Sequence, residues 1–203
     1  MQVLTRERPT TLPATTLPRQ PAARSALGFT LIELMITLAV AVILLVIAVP
    51  SFRTMTISNR LTTTANDVVA ALNTARMEAI KRNASAQFCS NNATLNTSDT
   101  LGTACGTQTG AIYTLIGTTP TLLGASTIGI TPPLQLSGDM AAVRFGGQGL
   151  GYVPTTTTLF SGTVVDICSS AISSNNHRVV TLTAGSIIQI LPATNASSTG
   201  PCP

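Results

Sequence analysis

The sequence predicts an α+β fold in which a long N-terminal α-helix, with a membrane half and an amphipathic half, packs on a small antiparallel β-sheet domain. Three observations carry this: an unbroken apolar run from Phe29 to Val49, an apolar stripe recurring every three or four residues from Ile57 to Ala79, and a change beyond Asn83 to short β-prone runs. The 203 residues leave room for one membrane-rooted helix and one small globular domain, not for a second full domain. Charged residues make up 9% and aromatics 3%, and with abundant Thr, Ser, Asn, Ala and Gly this mix suits short strands and turns outside the cell.

The first element reads FTLIELMITLAVAVILLVIAV and carries a single charge. At about 1.5 Å per residue it spans about 30 Å of hydrocarbon, so it is read as a membrane helix. A cleaved secretory signal would have an apolar core of about 7 to 15 residues and a small-residue site, of which Ala48-Val49-Pro50 is a poor version. Glu33 is the anomaly, because an ionised carboxylate inside a span costs several kcal/mol unless water or a cation reaches it. Either Glu33 sits near the headgroup boundary, or it pairs with the α-amino group that cleavage before Phe29 would create on its own or a neighbouring chain.

The stretch Gly28-Phe29-Thr30-Leu31-Ile32-Glu33-Leu34 resembles the type III signal of type IV pilins and pseudopilins. The resemblance implies that a prepilin peptidase cuts after Gly28 and N-methylates Phe29, and that Glu33 docks each subunit against the N-terminus of another during assembly. Pro50, at the twenty-second position after the cut, matches the helix proline of many pilins, where the missing hydrogen bond lets the helix kink. The leader departs from the pattern: it contains Pro9, Pro13, Pro18 and Pro21, and Ala26 and Leu27 stand where Lys or Arg is usual, leaving Arg24 as the nearby charge. Basic residues on the two sides of the span, Arg19 and Arg24 against Arg53 and Arg60, do not decide topology; the cysteines and the family's cytoplasmic peptidase site place the C-terminal part outside.

Beyond Pro50, the stripe Ile57, Leu61, Ala65, Val68, Leu72, Ala75 and Ala79 needs a sheet to cover it, whereas Arg53, Arg60 and Arg76 fall mostly off it. Lys81 and Arg82 suit a helix C-terminus, which is placed near Asn83. Strands are expected at 86–89, 111–116, 141–145, 164–168, 177–183 and 186–191, forming one antiparallel sheet. Arg76-Met77-Glu78-Ala79-Ile80-Lys81-Arg82, Cys89, Val143-Arg144-Phe145 followed by Gly149, and Cys168 before a final hairpin make the layout similar to the GspH/FimT group, the minor pilins and the H pseudopilin of type II secretion.

Of the four net positive charges, Arg6, Arg8, Arg19 and Arg24 against Glu7 supply three, so the chain beyond Gly28 is nearly neutral. Its basic residues concentrate between Arg53 and Arg82, read as a solvated helix face. The four cysteines, Cys89, Cys105, Cys168 and Cys202, are an even number without C-x-x-C or His-rich spacing, which points to two disulfides in an oxidising compartment rather than to metal. Among the three connectivities, the sequence-local one, Cys89 with Cys105 and Cys168 with Cys202, is adopted on proximity alone.

Several motifs carry no function. Gly147-Gln148-Gly149-Leu150-Gly151 lacks phosphate-loop spacing and reads as a turn; His177, the only histidine, reads as a loop or strand-edge residue; the carboxylates are scattered. The N-x-S/T triplets at Asn83, Asn92, Asn96 and Asn195 are expected by chance in a Thr- and Ser-rich chain, 155–158 reads as an exposed loop and 192–203 as irregular. No enzyme activity, cofactor or metal site is expected.

The resulting organisation is a cleaved leader at 1–28, a transmembrane half-helix at 29–50, an amphipathic half-helix at 51–83 and a disulfide-bonded sheet domain at 84–203. The resemblance implies a structural minor pilin or pseudopilin. Its partners would be other pilins in a filament, the prepilin peptidase, inner-membrane lipid and the inner-membrane assembly platform. It would sit in the bacterial inner membrane as a single-pass protein with a periplasmic C-terminal domain, then in a pilus or pseudopilus. The alternative on the same scaffold is a DNA- or ligand-binding minor pilin for natural transformation or adhesion. Against DNA, the stretch matching the basic G-R-x-R segment of DNA-binding members reads Gly185-Ser186-Ile187-Ile188, without arginine.

Overall fold

Helix α1 (Leu31–Arg82) organises the chain. The computed structural model describes residues 28–125, 128–193 and 202; the leader up to Leu27 and residues 194–201, Asn195 among them, lie outside the described residues. Two compact units are distinguished, one ending at Ile43 and the other beginning at Leu44. In the first, α1 is apolar on every side and exposed all round, and none of its apolar window is buried within the chain. In the second, α1 stays helical through Pro50 and then buries one stripe: Leu61, Thr64, Ala65, Val68, Ala71, Leu72, Ala75 and Ala79. Half of these are alanines.

The C-terminus of α1 shows why the helix stops where it does. Asn83 adopts a left-handed backbone at φ 47°. Its N–H donates to Ile80 O at 3.1 Å and that of Ala84 to Ala79 O at 3.1 Å, the paired bonds of a Schellman cap. The Asn83 triplet therefore has a structural cause. Gly147 lies directly against it, since a Cβ at 147 would stand 2.3 Å from Asn83 Oδ1.

Instead of one sheet there are two. The first has five strands in the order β3 (Thr119–Gly124), β2 (Ile112–Ile116), β1 (Ala86–Phe88), β5 (Val143–Phe145), β6 (Gly151–Tyr152). The second has four in the order β4 (Gln135–Leu136), β7 (Gly162–Cys168), β8 (His177–Thr183), β9 (Ile187–Ala193). All pairings are antiparallel. The predicted α+β layout is thus the one observed, with β3, β4 and β6 as strands that the sequence did not announce. Thr119–Gly124 carries Pro120, which marks it as an edge, and the other two are two-residue strands. Between β1 and β2 stand short helices α2 (Ala93–Asn96) and α3 (Thr100–Cys105). The expected irregular tail begins later than Pro192, which is still paired, to Arg178 on β8.

Both sheets bury residues against α1: Phe88, Val143 and Phe145 from the first, Val164, Val165, Ile167, Val180 and Leu182 from the second. A register shift between Thr163 and Val165 explains how the consecutive Val164 and Val165 are both inside. The sheets are joined where the β8–β9 turn docks on β6. Gly151 N donates to Gly185 O at 2.8 Å, Phe160 N to Gly151 O at 2.9 Å, and Gly185 N to Phe160 O at 2.8 Å. Gly185 has φ 66°, and a Cβ there would stand 2.5 Å from Gly151 O. Gly185→Ala is therefore expected to destabilise the full-length protein in detergent by about 2 kcal/mol or more, from backbone strain and collision together; an unchanged denaturation midpoint would show that this junction does not hold the sheets.

Candidate functional site

The segment that opens α1 is built by local backbone chemistry. Gly28 and Phe29 precede the helix and are exposed. Thr30 caps it: its Oγ1 accepts from Glu33 N at 3.2 Å and its carbonyl from Leu34 N at 3.1 Å. Thr30 and Glu33 stand at the spacing of a capping box, so Glu33 lies in the first turn, where the helix dipole favours a carboxylate. A local reason for an acid at position 33 thus exists beside any docking role. Gly28 has no such reason, because a Cβ added there would meet nothing within 4 Å. Its requirement, if it has one, is imposed from outside the chain. Downstream, Pro50 lies within α1, whose helical assignment continues on both sides of it.

The outer domain is rigidified by three polar constellations. In the first, Arg144 on β5 donates to Gln87 on β1 through Nε at 3.0 Å and also through Nη2. It pairs with Asp99, the N-cap of α3, through Nη1 and through Nη2, the latter at 2.9 Å. Gln87 Nε2 donates to Asn96 O at 3.1 Å. Asn96 is fully buried and bonds Ser90 through both its amide oxygen and nitrogen, and Gly106 through the nitrogen. The segment from Ser90 to Gly110 is thereby an ordered lid over the outer face of the first sheet, closed by the Cys89–Cys105 disulfide. Asn92, another triplet asparagine, is the N-cap of α2.

The second is His177 with Asp166. His177 is not a loop or edge residue: it is fully buried on β8, and its Nδ1 lies 2.9 and 3.0 Å from the two carboxylate oxygens of Asp166 on β7. Register is the physical reason. Cys168 is directly opposite His177 and Asp166 opposite Val179, so Asp166, Cys168 and His177 share one sheet face beside the Cys168–Cys202 disulfide. Among the described residues no group of three or more metal-ligating side chains comes together.

The third is Arg76, which departs from the solvated-face reading. Its guanidinium lies 5.3 Å from the centre of the Phe145 ring, and Nη2 donates to Ser186 O at 2.7 Å. Burial lowers its pKa from the ordinary value, and the cation–π contact and turn carbonyls are what it receives in place of water. The Gly185-Ser186 turn is consequently held by an arginine that comes from the helix rather than from the turn itself.

The Arg144 hydrogen bonds, followed by the Gly102 amide and the Arg144 charge, hold the Asp99 carboxyl down at about 2. A carboxyl whose folded pKa lies below its unfolded one contributes stability above the unfolded value and loses it as pH falls through the folded one. The lid should therefore loosen between about pH 4 and pH 2, read as faster amide exchange over 90–110. Asp99→Asn should remove that pH dependence, and Arg144→Ala should cost about 2 kcal/mol at neutral pH; a lid equally protected at both ends of the range would contradict this.

The described geometry, an apolar helix opening on an unencumbered glycine and continuing as a stripe under two sheets, agrees with the comparisons. The family of the type II transport protein GspH matches residues 64–186, more than half of the chain. The prokaryotic N-terminal methylation motif matches residues 23–49. Comparison with curated proteins and with solved structures gives no match. The first match covers α1 from Thr64 onward together with the strands β1 to β8, and the second covers the cap and the apolar run. The chain belongs to the GspH family and is a pilin or pseudopilin of that type.

Proposed function

We propose that this protein is a structural minor pilin or pseudopilin, cut after Gly28 by a prepilin peptidase, N-methylated on Phe29 and assembled through its apolar helix into a type IV pilus or a type II secretion pseudopilus. The observation that carries the reading is the wholly uncovered apolar half of α1, which begins two residues after Phe29. Side chains from Leu31 to Val49 exposed on every side are tolerable only in lipid or against other such helices. Before assembly the bilayer covers them. In a filament, the same surfaces of neighbouring subunits do.

Glu33 has two contributions in this scheme. Its carboxylate sits in the first turn, where the helix dipole favours it, and after cleavage it can pair with the newly created α-amino group at Phe29 of its own or an adjacent subunit. Pairing with that cation offsets the cost of the carboxylate in an apolar bundle. Two disulfides support a periplasmic position for the sheet domain, with the chain held in the inner membrane by its single span. The lid and the two sheets then form the outward surface of the subunit.

Because a methyl group at position 28 meets nothing, Gly28→Ala should leave the fold intact and abolish cleavage, read as retained leader mass when the protein is coexpressed with a prepilin peptidase. Glu33→Ala should be processed normally yet be depleted about tenfold from sheared filaments, as expected for loss of one charge-assisted contact. Glu33→Gln, which keeps the length of the side chain without the charge, isolates the pairing: near-normal incorporation of that variant would overturn it.

A further inference from the structure

Strand β9 opens with Ile187-Ile188-Gln189-Ile190-Leu191, aliphatic residues on both sides of one amide and no charge. Such residues suit a pleated, half-buried surface, and the strand runs in unbroken register along β8, from Ile187 opposite Thr183 to Ala193 opposite His177. Alternation divides it between two faces. Ile188 and Ile190 pack against the core, whereas Ile187 and Leu191 are 53% and 47% exposed, with exposed Gln189 between them.

β9 is also the last strand of its sheet, so one of its edges is open. Among the described residues its backbone pairs with β8 alone. The remaining sheet edges are guarded. β3 carries Pro120 and β4 is two residues long; β6 is equally short, and its Tyr152 is bridged to Leu159 in the turn that folds back on it. Sheets blunt a long edge with lysine, proline or a bulge, because a row of unpaired N–H and C=O groups templates another strand. From Ile187 to Leu191, β9 has none of these, and Pro192 follows only after that stretch.

The side chains say what fits there. A partner strand has to set aliphatic residues on both sides of a central polar one, since a charge opposite Ile187 or Leu191 would be stranded against hydrocarbon. β9 itself meets that requirement, because its chemistry reads the same in both directions about Gln189. Antiparallel pairing of two copies about that residue sets Ile187 opposite Leu191 of the second copy and Ile188 opposite Ile190. The two Gln189 amides then lie side by side, at a cross-strand distance of about 4.5 to 5.5 Å.

We propose that β9 is a self-association edge, at which two copies of this chain pair antiparallel about Gln189 and join their four-stranded sheets into one. The twofold axis of such a pair is normal to the sheet, and α1 lies along one face of that sheet, so the two helices point in opposite directions. With 29–49 read as a membrane span, the pair therefore links subunits held in two different membranes or filaments, not neighbours in one. Pairing over 187–191 buries less than the roughly 1,600 Å² of a standard interface, so a single contact is weak and transient.

The test uses full-length chains carrying one added cysteine, whose thiol stands alone because the native cysteines are bridged. Under mild copper-phenanthroline oxidation in detergent, Gln189→Cys should form a disulfide dimer about tenfold faster than Thr119→Cys, which is exposed on the guarded edge β3. A mixture of Ile187→Cys and Leu191→Cys should give the mixed dimer in about tenfold excess over either homodimer. Like-numbered residues at 187 or 191 would stand about 13 Å apart along the strands, beyond the roughly 7 Å that a disulfide spans. Adding Gln189→Glu to both chains should slow the mixed bond about fivefold, as like charges then face each other, and Gln189→Lys in one chain against Gln189→Glu in the other should restore it. Equal rates for Gln189→Cys and Thr119→Cys, or no preference for the mixed dimer, overturns the pairing. In proteoliposomes the mixed dimer should form between two separately loaded vesicle populations; formation only when both chains share a vesicle overturns the opposed arrangement in favour of a contact between neighbours. Chains that dimerise in detergent as expected but stay out of vesicles overturn the span and support the pairing.

Discussion

One helix has to satisfy two different surroundings, and the rest of the structure follows from that constraint. Up to Val49, α1 is apolar on all sides, so it demands a continuous apolar medium. From Leu61 to Ala79 only one stripe is apolar, so it demands a surface that covers one side and leaves the other wet. The change from one regime to the other takes place over 50–60, where Pro50, hydroxyl side chains and arginines replace the aliphatic run. Thr54 and Thr56 donate to the carbonyls of Ser51 and Phe52, which keeps their hydroxyls satisfied on the helix itself.

Covering a stripe about five turns long with short strands takes two sheets here. The first sheet supplies Phe88, Val143 and Phe145, and the second Val165, Ile167, Val180 and Leu182. The seam between the sheets is closed by backbone, through Gly151, Phe160 and Gly185, and clamped to the helix by Arg76 lying on Phe145. Helix, first sheet and second sheet meet at that point.

Two of the buried polar pairs lie on the outer faces of the sheets. Gln87 faces away from α1, opposite Arg144, and the lid that covers the pair bonds to it through Asp99 and Asn96. His177 and Asp166 are similarly enclosed on the outer face of the second sheet, beside Cys168. In both cases a disulfide lies next to the polar pair. Covalent closure of the covering segment and hydrogen bonding beneath it act together, since each limits the freedom of the other's surroundings.

Local chemistry was enough to read the apolar run, the stripe, the helix end at Asn83 and most of the long strands, because each depends on periodicity or on a residue's own backbone preference. The N-terminal methylation motif matched over 23–49 was also legible, since it is written in contiguous residues. What could not be read were relations between segments far apart in the chain. The division into two sheets, the short strands β4 and β6, the burial of His177 against Asp166 and the use of Arg76 under the Gly185 turn depend on which strands become neighbours. Likewise Asn83, Asn92 and Asn96 look alike as triplets, yet the first ends a helix, the second starts one and the third fills the lid's interior. Sequence by itself determined the elements and the signal at the head of the helix, through forces acting over a few residues. Tertiary structure alone decided which polar groups are inside, because strand register and sheet order set that outcome across dozens of residues.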